Sequence, residues 1–199
     1  MVSADQREQL KQMESWQLVA FTAALAERMF PNYQLFARVV DGGGNAEVVR
    51  MALDKVWDSL CQRGKVNFET QMERVEAQVP DVESYDMYGV YPALDAAVAV
   101  CAAINQAENA SVEEALNISQ LSEECVATYL EVIAETDLSD EELVRFINSH
   151  QLMEQELTFQ SELLQRLTSA STQQAGLLEK LRVLAANQGV SNIGISNDE

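Results

Sequence analysis

The sequence predicts an all-α protein, a single bundle-like domain of about seven or eight helices over residues 1–199, with a short frayed end at 196–199. Three observations carry that expectation. Apolar residues recur three and four positions apart through most of the chain, and no alternating strand pattern competes with them. Only 8 glycines and 3 prolines stand in 199 residues, so long helices meet few interruptions. Asn and Ser residues suited to helix capping stand where several of the periodic stretches begin. A chain of this length buries roughly 70% of its unfolded surface in one core, and no linker or repeat divides it into domains.

Taken in order, Leu18, Phe21, Leu25 and Met29 form the first stripe, and Pro31 is expected to kink or end that helix near Phe30. Asp41-Gly42-Gly43-Gly44-Asn45 reads as a flexible connection whose last residue caps a helix carrying Val49, Leu53, Val56 and Leu60. Asn67 is expected to cap the next. Tyr85 to Tyr91 reads as an ordered loop, and Pro92 suits the first turn of a helix over 93–107 that is apolar nearly all round and therefore central. Ser111 with Glu114, and Ser139 with Glu142, have capping-box spacing. Between them Ile118, Leu121, Cys125, Tyr129 and Val132 make a third stripe. From Ser149 to Asn187 no proline intervenes, which predicts one long C-terminal helix, weakened by Thr168-Ser169-Ala170-Ser171-Thr172 and open to a two-helix solution. Gly189 is the expected stop, and Val190 to Ile195 are apolar enough to dock extended on the bundle.

Charge is segregated. The net charge is −19, and the 70 residues from Val75 to Val144 hold 16 Asp or Glu without a single Lys or Arg. Such a field repels phosphate, so nucleic acid is not an expected partner, and no basic stripe interleaved with aromatics argues otherwise. A basic protein partner is the electrostatic complement. The N-terminal residues lack the basic and apolar regions of a secretory signal and no run of about 18 apolar residues is evident, so the expectation is a cytoplasmic protein without a membrane partner. Cys61, Cys101 and Cys125, all placed in predicted helices, are too widely spaced for a disulfide framework.

No motif implies a cofactor or a metal site. His150 is the only histidine, which removes multi-histidine zinc sites, and no nucleophile signature accompanies it. The triple glycine lacks the Gly-Lys-Ser/Thr ending of a P-loop, and Glu47 stands where the third glycine of Gly-x-Gly-x-x-Gly belongs. The densest candidate feature is Tyr85-Asp86-Met87-Tyr88-Gly89-Val90-Tyr91-Pro92-Ala93-Leu94-Asp95. Its phenols offer apolar area with directed hydroxyls, and Asp86 or Asp95 offers a base or polar anchor.

Six ordered fragments then point to a family. Glu14-Ser15-Trp16-Gln17, Glu27-Arg28-Met29 with Pro31-Asn32-Tyr33, Val66-Asn67-Phe68, Tyr88-Gly89-Val90-Tyr91-Pro92-Ala93, Ser139-Asp140-Glu141-Glu142-Leu143 and Ser191-Asn192-Ile193-Gly194-Ile195 together resemble the bacterial YjaG-like family. The resemblance implies one multihelical cytoplasmic domain and, the family being a domain of unknown function, brings no catalytic or ligand residue with it.

The leading expectation is thus a non-enzymatic acidic interaction or regulatory protein. The alternative is a small-molecule binder or enzyme with a pocket beside Tyr85, Tyr88 and Tyr91. A third arrangement is a homo-oligomer joined through the long C-terminal helix.

Overall fold

The computed structural model describes residues 4–134 and 137–196. Among them are nine α-helices and no strand: α1 (Ala4–Lys11), α2 (Ser15–Val39), α3 (Ala46–Leu60), α4 (Phe68–Glu76), α5 (Val90–Glu108), α6 (Val112–Ile133), α7 (Asp140–Ser149), α8 (Gln151–Thr168) and α9 (Ala175–Ala186). They pack around one hydrophobic core.

The centre is shared by α2 and α5, which make the most extensive helix pair in the molecule. In α2, 18 of 25 residues are buried, so the predicted central helix has an equal partner. Ala20, Ala23, Ala24 and Ala26 on one helix and Ala93, Ala96, Ala97 and Ala103 on the other are fully buried, and side chains this small let neighbouring helices approach closely. Among the described residues α5 alone is long and apolar enough to cross a membrane by length and composition, and it lies mostly inside the bundle. Around the central pair, α3 and α4 pack on α5, α9 packs on α2 and α3, and α6 with α8 closes another side. The short α7 touches only α6 and α8 to any extent.

Several local expectations are met. Asn45 accepts from the Glu47 and Val48 N–H groups, Asn67 from Thr70 N–H, and Ser139 with Glu142 forms a reciprocal capping box. Others are corrected. Pro31 does not end α2, which continues for two further turns. The missing N–H costs the helix about 3 kcal/mol, and burial of Tyr33 and Phe36 beyond it offsets the loss. The C-terminal segment is two helices, α8 and α9, separated by residues 169–174. Gln17 of α2 holds that break, its Nε2 donating to the Leu167 and Ala170 carbonyls at 2.6 and 3.4 Å.

At Ser111 the hydroxyl receives Glu114 N–H, but the reciprocal half of the box is supplied by Gln106 Oε1, which accepts Ser111 N–H at 2.6 Å. Cys61 is the residue that closes α3 rather than a helical one. Tyr91 lies in the first turn of α5, not in the preceding loop. Asn187, in the left-handed region at φ 46°, stops α9 before Gly189 is reached. The segment after it docks as a tight turn instead of an extended strand: Ser191 N–H donates to the Ile195 carbonyl, and Ser191, Asn192 and Ile193 are buried. Ser196 pairs with Val190, and the rest of the expected frayed end, 197–199, lies outside the described residues.

Candidate functional site

The aromatic segment is divided between two places. Asp81 caps a 3-10 turn at Val82–Ser84, after which Tyr85 turns back toward the glycine loop. Its hydroxyl donates to the Gly42 carbonyl at 2.7 Å, and its ring meets Phe36 edge-on at 5.1 Å. Tyr33 closes the same loop from inside by donating to the Gln78 carbonyl at 2.8 Å, and burial pushes its phenol up to about 12. A side chain on Gly44, at φ +96°, would strike that hydroxyl. The triple glycine is therefore a packed joint. Asp86 is exposed nearby.

Tyr88 and Tyr91 go the other way. Tyr88 is half-buried between Tyr91 and Tyr129 of α6, with ring centroids at 6.2 and 6.3 Å, while Tyr91 is 52% exposed. One turn further along α5 stands Asp95, hydrogen-bonded to the Cys125 thiol. Burial pushes Asp95 up to about 6, helped by Glu124. Burial, with Asp95 close by, raises the Cys125 thiol far above its ordinary range, and Tyr88 is raised for the same first reason. A thiol so held is a protonated packing group rather than a nucleophile. Of the five predicted residues, the fold thus brings Tyr88, Tyr91 and Asp95 together and leaves Tyr85 and Asp86 apart.

Behind Cys125 runs a buried polar seam that sequence reasoning missed. Asn192, from the C-terminal turn, accepts from Asn32 of α2 at 2.9 Å and points its own amide at Ser122. Next to it Gln160 donates to Glu156 Oε1 at 2.7 Å and exchanges bonds with Ser119. Glu156 is 1% exposed, and its second oxygen lacks a well-formed hydrogen bond among the described residues. Burial, with Glu123 as a like charge, raises its pKa against the opposing pull of Gln160, Ser122 and Arg28. The sequence signal was present in the spacing of Met153, Glu156, Gln160, Leu163 and Leu167, which places two polar residues on a core stripe.

On the far side of α2, Glu27 is buried in the opposite manner. Arg50 grips it with two bonds of 2.8 Å, Trp57 Nε1 donates at 2.9 Å, and Arg182 approaches to 3.6 Å while pairing with Asp54. His150 is likewise structural: its Nδ1 accepts Leu152 N–H, so one residue closes α7 and caps α8. Among the described residues no three His, Cys, Asp or Glu gather where a metal ion would sit.

The outer surface of α6 carries part of the charge. Twelve of the fifteen described acids between residues 75 and 144 are exposed. Glu113, Glu124 and Glu131 lie along one helical face of α6. Beside Glu124 a groove of about 300 Å³ opens between α6, α7 and α8, with Ala127, Ile147, Met153 and Leu157 as its apolar lining. Leu157 is 40% exposed, and Val144, Val132 and Ile133 are exposed on the adjoining helices.

Comparison with known proteins agrees with this architecture. The family described as "Protein of unknown function (DUF416)" matches residues 5–196. The uncharacterized protein YjaG of Escherichia coli K12 is 37% identical over 94% of this chain and 93% of its own length. An uncharacterized protein of Haemophilus influenzae is 33% identical over 94% of each chain. The crystal structure of a DUF416 family protein from Shewanella baltica OS155 superposes with a TM-score of 0.87 at 37% identity, covering 98% of this chain and 100% of that one.

Proposed function

The chain belongs to the DUF416 family of proteins of unknown function, and from that premise we propose that it is a non-enzymatic binding protein for a basic, amphipathic segment of another protein. The observation that carries this reading is the juxtaposition on α6: three exposed carboxylates, Glu113, Glu124 and Glu131, on one face of a helix without Lys or Arg, with an apolar groove beside Glu124. A partner helix with Leu or Met on one face and Lys or Arg on the other meets both requirements, its apolar face covering Ile147, Met153 and Leu157 and its charges facing Glu124 and Glu131. The enzyme alternative draws on Asp95 beside Tyr88, but their neighbour Cys125 is held protonated, which favours packing over covalent chemistry.

The test uses an amphipathic Leu/Lys peptide and measures binding by fluorescence anisotropy at two salt concentrations. Affinity should fall about tenfold between roughly 50 and 200 mM salt. Glu124→Lys and Leu157→Asp, both at exposed positions, should each weaken it by a similar factor. An unchanged affinity in both variants would overturn the proposal.

A further inference from the structure

A cavity of about 560 Å³ opens on the opposite side of α8 from the groove, between that helix, the end of α9 and the turn that follows it. Its floor is Arg28. This guanidinium is 7% exposed, stacks 3.8 Å from the centre of the Phe159 ring, and gives Nε and Nη2 to the Ala185 and Leu184 carbonyls at the end of α9. Among the described residues no carboxylate forms an ion pair with it. Glu156 and Glu162 act on it only through space, and Glu162 is already held by Arg166 at 3.0 Å. A buried cation normally has a direct counter-charge. Here its neighbours are two carbonyls, a ring and an open cavity.

The rim adds the second half of the argument. Glu154 and the Arg166-paired Glu162 line the cavity with Gln151, Gln155 and Gln188, so the rim offers the Glu154 carboxylate and neutral amides beside the one lining cation, Arg28. A phosphate or a dicarboxylate would meet repulsion at the rim, whereas a molecule with one carboxylate and one ammonium group would satisfy both. Asn187 and Gln188 occupy successive left-handed positions at φ 46° and 56°, a conformation that non-glycine residues seldom adopt twice in a row and that holds both at the cavity.

We propose that this cavity binds a small zwitterion of the free amino acid type, its carboxylate on Arg28 and its ammonium group at Glu154. The site is separate from the acidic groove and does not depend on it. Calorimetry and thermal shift with L-alanine, L-glutamine and L-lysine provide the test, with N-acetyl-alanine, alaninamide, inorganic phosphate and succinate as controls. At least one amino acid should bind saturably and raise the melting temperature, and blocking its amine or its carboxylate should weaken binding by about tenfold or more. Thr158→Trp, at an exposed position on the cavity wall, should abolish binding with the melting temperature of the unliganded protein unchanged. Glu124→Lys in the groove should leave it intact. If none of the three amino acids binds, if the blocked forms bind equally well, or if Thr158→Trp binds as before, the proposal is wrong.

Discussion

Glu27 and Glu156 are both buried glutamates on core helices, and they are accommodated in contrary ways. Glu27 receives a bidentate guanidinium and an indole N–H, with a second arginine close by, and this network ties α2, α3 and α9 together. Glu156 receives one amide, has Glu123 as a neighbour, and is driven toward its protonated form. The difference teaches that burial of a carboxyl group is tolerated by two routes, direct cationic partners or loss of the charge itself. The first route locks helices into one geometry. The second leaves a group whose contribution changes with pH.

Removing Glu27 is the largest perturbation this contrast predicts. Glu27→Ala leaves the Trp57 N–H without its acceptor and Arg50 and Arg182 with Asp54 alone beside a buried vacancy, and should cost about 3–5 kcal/mol in urea unfolding. Glu156→Gln should do the reverse. Because the native carboxyl titrates above its unfolded value, its favourable contribution is complete below the ordinary glutamate range and disappears as pH rises through the native pKa. The variant should therefore match the parent near pH 4 and exceed it by about 1 kcal/mol or more at pH 8. Asp95→Asn should show the same sign, with the gain developing between the usual aspartate value and about 6, and a similar or smaller size, about 1 kcal/mol, because that side chain is partly hydrated. If either stability difference is flat from pH 4 to 8, the second route is not operating at that residue. The exposed Glu141–Arg145 pair sets the floor of the comparison: Arg145→Ala should change stability by less than about 0.5 kcal/mol.

What was legible in the sequence is what local chemistry decides. Asn45, Asn67 and Ser139 cap their helices because the group that satisfies each exposed N–H lies within three residues. The errors, and the choice left open over residues 149–187, arise where a distant residue decides instead. Pro31 obeys its local rule poorly because core packing on both sides of α2 outweighs one missing hydrogen bond. The break between α8 and α9 is held by Gln17, some 150 positions earlier in the chain. Gln106 displaces Glu114 at Ser111 because it reaches the same N–H from the preceding helix.

The candidate site follows the same pattern. Tyr85, Tyr88 and Tyr91 look equivalent at a spacing of three, yet Tyr85 precedes α5 and Tyr91 belongs to it, so their rings diverge to different neighbours. Asp95, singled out in the sequence as a base or polar anchor, lies half-buried on α5 against the Cys125 thiol. Arg28 was not, because a charged residue in an otherwise apolar helix carries no sign of the carbonyls and ring that hold it until α8 and α9 are placed.

Asn192 enters the interior to meet Asn32 across 160 positions. A ribosome releases α2 and α5 long before it makes that residue, so these helices emerge and pair while the seam beside them is still unsealed. Completion of the native state accordingly awaits a turn made 160 positions after Asn32, and until then the nascent chain carries an open polar flank.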